Sequence, residues 1–171
     1  GNINHIAVDH EAILDIVIRY EEVQFHFFGP VGVTENALLR ELKACDNTKF
    51  YGQCTQREIL EVAPKLDAWM LCYDSTKDIN GGTDSHKVLE YLATGLPVVS
   101  SHLNKYAETG LLYRPSTKSN ERMLELFESM RKDLVNMPAL DYLKTQRKRV
   151  GYAKSRSYSA RVEHISDLVL Q

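Results

Sequence analysis

The sequence lacks the long apolar runs, paired cysteines and excess charge that would point to a membrane, a metal or a nucleic acid. No stretch approaches the roughly 18 apolar residues of a membrane-spanning helix. Cys45, Cys54 and Cys72 are the three cysteines and form no CxxC pair, so neither a zinc site nor a disulfide framework is predicted. A net charge of −2 creates no strong field toward nucleic acid or anionic lipid. We therefore expect a cytoplasmic protein with no nucleic-acid partner.

The composition is that of an ordinary folded domain. Hydrophobic residues make up 43% of the chain and charged residues 26%. A length of 171 residues is enough for one domain with a substantial core. No internal repeat, low-complexity tract or flexible linker interrupts it. Because the sequence starts abruptly, we expect the chain to be a piece of a longer protein.

Strand-like and helix-like apolar patterns alternate along most of the chain. Helical spacing covers residues 11–20, 34–44, 55–66 and 85–93, and strand patterns cover 23–28, 49–52, 68–73, 98–101 and 111–113. The remainder is helical, with breaks near Pro138 and near 155–159. This order predicts an α/β fold: a doubly wound parallel sheet with helices on both faces and a helical C-terminal segment. Residues 1–171 are predicted to form this single domain.

Three local patterns give sharper structural predictions. In the first helix, the apolar stripe of residues 13, 14, 17 and 18 is expected to face the core. Thr55 and Glu58 have the spacing of a capping box at the start of the third helix. The stretch 68–73 is almost continuously apolar, as expected of a central parallel strand that is buried on both faces.

The stretch DSHKVLEYLATGLPVVSS, residues 84–101, carries the most unusual chemistry. Asp84 or Ser85 is expected to cap a helix, because its side-chain oxygen can accept from an otherwise unpaired amide. His86, Lys87 and Glu90 then share one face of that helix, at spacings of three and four residues. The apolar side chains cover another face: Val88, Leu89, Leu92 and Ala93.

This helix start is expected at the carboxyl end of the most buried strand, where doubly wound sheets bind ligands. Free amides and the positive end of the helix dipole attract phosphate, and His86 and Lys87 add charge. Glu90, one turn deeper, can accept hydrogen bonds from two ribose hydroxyls. A nucleoside diphosphate fits all three features. On spacing alone, a solvated face with a Lys87–Glu90 pair worth a few tenths of a kcal/mol is favoured instead.

A family resemblance favours the nucleotide site over the solvated helix face. The segment resembles the pattern K-x-x-E-x-x-A-x-G-x-P-V-V-x-[ST] of GT-B glycosyltransferases of the group 1, family 4-like type. The matching residues are Lys87, Glu90, Ala93, Gly95, Pro97, Val98, Val99 and Ser101. Weaker similarities lie at 27–30, at 49–53 and at Tyr158 with Arg161. The resemblance covers nearly the whole chain and implies the carboxy-terminal, donor-binding half of a two-domain enzyme.

The resemblance implies that the full-length enzyme transfers a sugar from a nucleoside diphosphate, commonly UDP or GDP, to a glycan or lipid-linked acceptor, as in polysaccharide biosynthesis. It implies no cofactor and no bound metal. The acceptor would bind the amino-terminal half, which is absent here, so the isolated domain is expected to be inactive. Glu90 would hold the ribose, and Lys87 would stabilise the departing diphosphate as the second catalytic residue. The implied donor-binding residues are Gly82, Thr83, Asp84, Ser85, His86, Lys87, Val88 and Glu90.

The sequence departs from the family pattern at one position, and it leaves two other functions open. Many retaining members of the family carry a second Glu where this chain has Gly82, so retention or inversion is undecided; Asp84 or Asp78 are candidate substitutes. A sugar-nucleotide 2-epimerase shares the two-half fold, and a non-catalytic flavodoxin-like binding module is the third reading. A basic stretch is expected to be a solvated helix face, with peripheral contact to lipid at the inner face of the membrane as the alternative: Lys144, Arg147, Lys148, Arg149, Lys154 and Arg156.

Overall fold

The computed structural model describes residues 3, 5–31, 37–74, 77, 86–157 and 159. Helices and strands alternate in this part of the chain up to the fourth strand, and two helices follow. The strands are β1 (Phe25–Phe27), β2 (Thr48–Phe50), β3 (Trp69–Leu71) and β4 (Val98–Ser100). The helices are α1 (His10–Arg19), α2 (Ala37–Ala44), α3 (Gln56–Val62), α4 (His86–Ala93), α5 (Met123–Asn136) and α6 (Ala139–Ser155).

The four strands form two parallel pairs. Strand β1 pairs with β2, with Phe25 opposite Thr48, and β3 pairs with β4, with Trp69 opposite Val98. The strand predicted at 111–113 is reduced to one bridge, which joins Tyr113 to Val99. The α/β class and the parallel pairing are confirmed. The continuous doubly wound sheet is not formed by the described residues, because β1 and β3 are not hydrogen-bonded to each other.

Helices cover both faces of the β3–β4 pair. Side chains of α1, α2 and α5 form one apolar cluster with Cys72 and Val99, and both Val99 and Ile16 are 0% exposed. Side chains of α4 and α6 form the other cluster with Trp69, Leu71 and Val98. Successive residues of β3 therefore point into different cores. This arrangement is why the stretch 68–73 is apolar at every position, and it confirms that β3 is buried on both faces.

The helix signals are mostly confirmed. Thr55 caps α3 with the predicted capping box: its Oγ1 accepts from the backbone N of Glu58 at 3.3 Å, and Glu58 Oε2 accepts from the backbone N of Thr55 at 2.7 Å. Helix α5 ends at Asn136 and α6 begins just after Pro138, as the break there predicted. In α1 the inward placement of Ile18 was wrong, since 54% of it is exposed. Ile16 takes its place in the buried stripe.

The C-terminal end of α4 is held against α6 at Gly95. Its backbone has φ +79°, and a Cβ at this position would overlap Cγ of Gln146. The carbonyl oxygen of Gly95 accepts from Nη1 of Arg149 at 3.1 Å. Arg149 is only 6% exposed, so its predicted place on a solvated face is wrong. It lies on the inward stripe of α6, four residues before the buried Ala153.

We expect Gly95→Ala to destabilise the chain more than Gly52→Ala. Gly52 also has a positive φ, of +71°, but nothing lies within 4 Å of the added Cβ. Gly52→Ala should therefore lower the free energy of unfolding by about 1–2 kcal/mol, the cost of placing Ala in a left-handed backbone conformation. Gly95→Ala should lower it further, because the added Cβ also overlaps Gln146. Urea unfolding would measure the difference. In a Gly95→Ala, Gln146→Ala double variant, the part of the destabilisation that comes from the overlap should disappear. If Gly95→Ala and Gly52→Ala lower the free energy of unfolding equally, close packing at Gly95 is contradicted.

Candidate functional site

Helix α4 is fixed to the β3–β4 pair by apolar and aromatic contacts along one side. Val88 and Leu92 are 0% exposed. The ring of Tyr91 stacks on Trp69, with centroids 4.6 Å apart and planes at 2°. Nε1 of Trp69 donates to Oγ1 of Thr94 at 2.9 Å. These contacts fix the rotation of α4 and so determine where its polar side chains lie.

Lys87 lies at the carboxyl end of β3. Its Nζ donates to the hydroxyl oxygen of Tyr73 at 3.1 Å and lies 5.8 Å from the centre of the Tyr73 ring. Tyr73 is two residues beyond the end of β3. No carboxylate in the described part of the chain pairs with Lys87. Among the described residues, its half-buried positive charge is therefore held in place by a neutral group, the Tyr73 hydroxyl.

Glu90 is exposed, and it contacts α3 rather than Lys87. Its Oε1 accepts from Nε2 of Gln56, the first residue of α3, at 3.1 Å. The Lys87–Glu90 pair of the alternative interpretation is thus not formed. Because Gln56 is the first residue of α3 and Glu90 the fifth of α4, this hydrogen bond joins the start of α3 to the middle of α4. A carboxylate is presented there to solvent with lone pairs left over.

Lys87, Glu90 and Gln56 line one large cleft between β1 and β3. Its volume is about 920 Å³, within the range of ligand-binding pockets. Side chains from α1 and α5 line one side of the cleft and side chains from α3 and α4 the other. The polar groups of α4 lie along an otherwise largely apolar and aromatic wall. A cation and a carboxylate one helical turn apart on such a wall are suited to a ligand that carries both a phosphate and a hydroxylated ring.

The other predicted donor-binding residues lie outside the described residues, on the surface of α4 or on its buried side. Gly82, Thr83, Asp84 and Ser85 lie outside the described residues. His86 is exposed at the first position of α4. Val88 lies on the buried side of α4 and is 0% exposed, so its side chain is turned away from solvent. These assignments stay predictions, and Lys87 and Glu90 are the two that the structure brings into one cleft.

Two partners of the site were not found from the sequence: Tyr73 and Gln56. Tyr73 lies two residues after the end of β3, and Gln56 follows Thr55, the residue that caps α3 after β2. Polar residues in the segments that follow strand ends were the available signal, since the carboxyl ends of parallel strands are where ligands bind. Neither residue has a spacing in the sequence that links it to Lys87 or Glu90.

Two other reactive side chains line the cleft, His26 and Cys72. His26 Nδ1 is 2.8 Å from the Tyr51 hydroxyl, and burial, with the positive charge of Lys49, lowers the pKa of the imidazole. Burial, with Asp9 and Asp74 nearby, raises the pKa of the Cys72 thiol well above its ordinary range. Both groups are therefore held in their neutral forms near pH 7, as expected of structural residues.

No group of three or more His, Cys, Asp and Glu side chains in the described ranges is arranged to hold a metal ion. None of the helices described is long and apolar enough to cross a membrane. Comparison of the sequence with models of known protein families gives no match, and comparison with curated proteins gives none.

Proposed function

We propose that this chain is the donor-binding half of a GT-B glycosyltransferase and binds a nucleoside-diphosphate sugar at the mouth of the cleft. One observation carries the proposal. Lys87 and Glu90, the two residues of the motif that bear charge, line the same cleft beside the starts of α3 and α4. In the alternative, the two side chains would pair with each other on a solvated face. Instead Lys87 donates to Tyr73, and Glu90 accepts from Gln56.

Glu90 is suited to hold a ribose. It is exposed, and the hydrogen bond from Gln56 restricts the orientation of its carboxylate without using all its lone pairs. The 2′ and 3′ hydroxyls of a ribose could donate to it as a pair. Gln56 would position the carboxylate, and the stacked rings of Tyr91 and Trp69 support the helix that carries it.

Lys87 is suited to the diphosphate. Its ammonium group has no acidic partner among the described residues and is held at the carboxyl end of β3 by Tyr73. When the bond between the anomeric carbon and the diphosphate oxygen breaks, negative charge grows on the leaving group. A fixed cation stabilises that charge more in the transition state than in the bound donor. As that bond breaks, the oxygen of an acceptor hydroxyl forms a bond to the anomeric carbon, the nucleoside diphosphate leaves, and the hydroxyl proton passes to a base or to the leaving diphosphate. That acceptor would be a glycan or lipid-linked hydroxyl bound by a second, amino-terminal domain.

In this proposal the two parallel strand pairs belong to one doubly wound sheet, and residues 82–85 meet the diphosphate or the sugar. The enzyme would act in the cytoplasm. No cofactor is needed, because the helix start and Lys87 supply the positive charge that a leaving diphosphate requires.

The test is nucleotide binding by the chain and by Glu90→Ala. Calorimetric titrations with UDP, GDP and ADP should give measurable binding of at least one nucleotide to the unmodified chain. Glu90→Ala should weaken that binding at least several-fold, since two hydrogen bonds to a charged acceptor are lost. Glu61→Ala is the matched control, because Glu61 is an exposed α3 carboxylate that pairs with Arg57 outside the cleft. Equal binding by Glu90→Ala and Glu61→Ala would remove Glu90 from the site.

A ribose-specific readout separates a direct contact from a structural effect. The 2′-deoxy form of the preferred nucleotide should bind more weakly than the parent nucleotide to the unmodified chain. The two nucleotides should bind equally to Glu90→Ala, because the group that tells them apart is gone. A loss on deoxygenation that persists in Glu90→Ala would place the ribose elsewhere.

A further inference from the structure

Tyr73, two residues beyond the end of β3, has its backbone held on both sides. Its N–H donates to Oγ of Ser101 at 2.7 Å, and that hydroxyl donates in turn to the Leu71 carbonyl at 3.4 Å. Its carbonyl oxygen accepts from Nδ2 of Asn120 at 2.8 Å. Ser101 is only 2% exposed, so its hydrogen bond to Tyr73 is shielded from water. The backbone of Tyr73 is therefore fixed, although it lies outside the strand.

The amide of Asn120 connects this point to a further element, the start of α1. Nδ2 of Asn120 also donates to Oδ2 of Asp9 at 2.8 Å, and Oδ1 of Asp9 accepts from the N of Ala12 in the first turn of α1. An antiparallel bridge joins Tyr73 to Val8. Tyr73 is thus held by β4, by the segment before α5 and by the start of α1. A residue supported from several elements keeps the geometry that a binding site needs.

The hydroxyl of Tyr73 has a proton to donate. A lysine ammonium group carries only donors, so in the 3.1 Å contact between Nζ of Lys87 and the hydroxyl the oxygen is the acceptor. The hydroxyl proton therefore points away from Lys87. Among the described residues, no hydrogen bond takes up this proton. Because Tyr73 lines the cleft beside Lys87, the proton is available to a ligand there.

The charges around the hydroxyl favour an anion as this ligand. The ammonium group of Lys87 polarises the O–H bond of Tyr73, which makes the hydroxyl a better donor. Asp74, the acid that follows in the sequence, has a cation of its own, because Lys77 contacts its carboxylate at 2.8 Å. An anionic oxygen placed between Tyr73 and Lys87 would receive a hydrogen bond from each of them and a full positive charge from Lys87.

A phenol suits this position better than an acid or a plain aromatic ring does. A carboxylate at residue 73 would pair with Lys87, cancel its charge and repel an anion. A phenyl ring would leave the ammonium group without this acceptor and would offer no proton to a ligand. Tyr73 holds the ammonium group through its hydroxyl oxygen and keeps its hydroxyl proton for the ligand. The centre of its ring also lies 5.8 Å from Nζ, which adds a cation–π attraction.

We infer that Tyr73 is a second anion-binding residue of the cleft, whose hydroxyl donates to a diphosphate oxygen of the sugar donor while Lys87 neutralises the charge. The identity of the anion rests on the proposed function, whereas the anion site follows from the contacts of Tyr73. As the diphosphate leaves, negative charge grows on its oxygens, so the hydrogen bond from Tyr73 becomes stronger. Tyr73 keeps its proton throughout, and only the strength of its hydrogen bond changes.

Calorimetric titration with inorganic pyrophosphate and with UDP, GDP and ADP tests the role of the hydroxyl. Tyr73→Phe removes the hydroxyl and keeps the ring. It should weaken the binding of pyrophosphate, and of whichever nucleotide binds the unmodified chain most tightly, at least several-fold. Binding of the corresponding nucleoside, which has no phosphate, should stay the same.

Tyr113→Phe is the matched control for the loss of one phenol hydroxyl. The hydroxyl of Tyr113 donates to Oδ2 of Asp133 at 2.7 Å, and Tyr113 is not part of the cleft lining. Tyr113→Phe should leave the binding of pyrophosphate, nucleotide and nucleoside unchanged. If Tyr73→Phe binds pyrophosphate and nucleotide as tightly as Tyr113→Phe does, the inference is overturned.

A double-mutant cycle separates a direct contact from an effect exerted through Lys87. If the Tyr73 hydroxyl contacts the diphosphate, Tyr73→Phe should weaken nucleotide binding by about three-fold or more even in a chain that already carries Lys87→Met. If Tyr73 served only to position Lys87, the second substitution would have no further effect. That result would remove Tyr73 from the ligand.

The pyrophosphate titration separates failure of this inference from failure of the proposed function. Pyrophosphate binding that depends on Tyr73, without binding of any of the three nucleotides, would overturn the proposed function and keep the anion site. Nucleotide binding that depends on Glu90 but not on Tyr73 would keep the proposed function and overturn the role of Tyr73. No binding of pyrophosphate or of nucleotide would overturn both.

Discussion

Trp69→Ala should lower the free energy of unfolding by about 3–5 kcal/mol, the cost of removing a large aromatic side chain from a core. Trp69 is 7% exposed, and it contacts α4 in two ways. Its ring stacks on Tyr91 and its Nε1 donates to Thr94. The substitution therefore leaves a cavity and also releases the helix that carries Lys87 and Glu90.

Urea unfolding followed by far-ultraviolet circular dichroism would measure this effect, because Trp69 is the single tryptophan and its fluorescence is lost in the variant. Trp69→Phe is the control: it retains a ring for Tyr91 but has no donor for Thr94. Trp69→Phe should lower the free energy of unfolding clearly less than Trp69→Ala does, and the missing hydrogen bond should account for about 1 kcal/mol of its effect. A loss of under about 1 kcal/mol for Trp69→Ala would mean that the ring is not packed between the sheet and α4.

The elements predicted best from the sequence are those determined by short-range patterns. The capping box of Thr55 and Glu58 depends on residues three apart, and the structure forms it as predicted. The continuous apolar character of residues 68–73 reflects cover on both faces, which the two core clusters supply. The break at Pro138 follows from the missing N–H of proline.

The predictions that failed concern which of several plausible faces is buried. Ile16 and Ile18 are equally apolar, and only the packing of α1 against α2 and α5 selects Ile16 for the core. Arg149 belongs to a basic run whose other described members are exposed. It is buried because α6 turns it toward Gly95, whose carbonyl accepts its hydrogen bond. Such choices depend on contacts between distant parts of the chain.

The candidate site was predicted in part for the same reason. Helical spacing places Lys87 and Glu90 on neighbouring turns of α4, and this could be read directly from the sequence. Their hydrogen-bond partners, Tyr73 and Gln56, come from 14 and 34 residues away and carry no pattern of their own. The pairing of strands across the cleft is likewise a long-range property, so one continuous sheet was expected where the described residues form two pairs.

Val99→Asp should be the most damaging single substitution in β4. Val99 is 0% exposed and lies in the cluster of α1 and α5, on a strand bonded to β3 on one side and bridged to Tyr113 on the other. An unpaired carboxylate at such a position costs roughly 3–5 kcal/mol at neutral pH, a large part of the stability of an ordinary domain. If β4 were instead a solvated edge strand, the cost would be small.

The pH dependence identifies the buried charge as the cause. Burial disfavours the ionised form, so the pKa of the introduced carboxyl in the folded state is raised above its unfolded value of about 3.9. The folded state then binds more protons than the unfolded state between these two pKa values. Stability relative to the unmodified chain is accordingly highest below about pH 4 and falls as the pH rises through the folded-state pKa. Val99→Asn, which has nearly the same shape but does not titrate, should show a deficit that is independent of pH between 4 and 8. Parallel pH profiles for the Asp and Asn variants would show that the residue at 99 stays solvated, and that this face of β4 is not covered by α1 and α5.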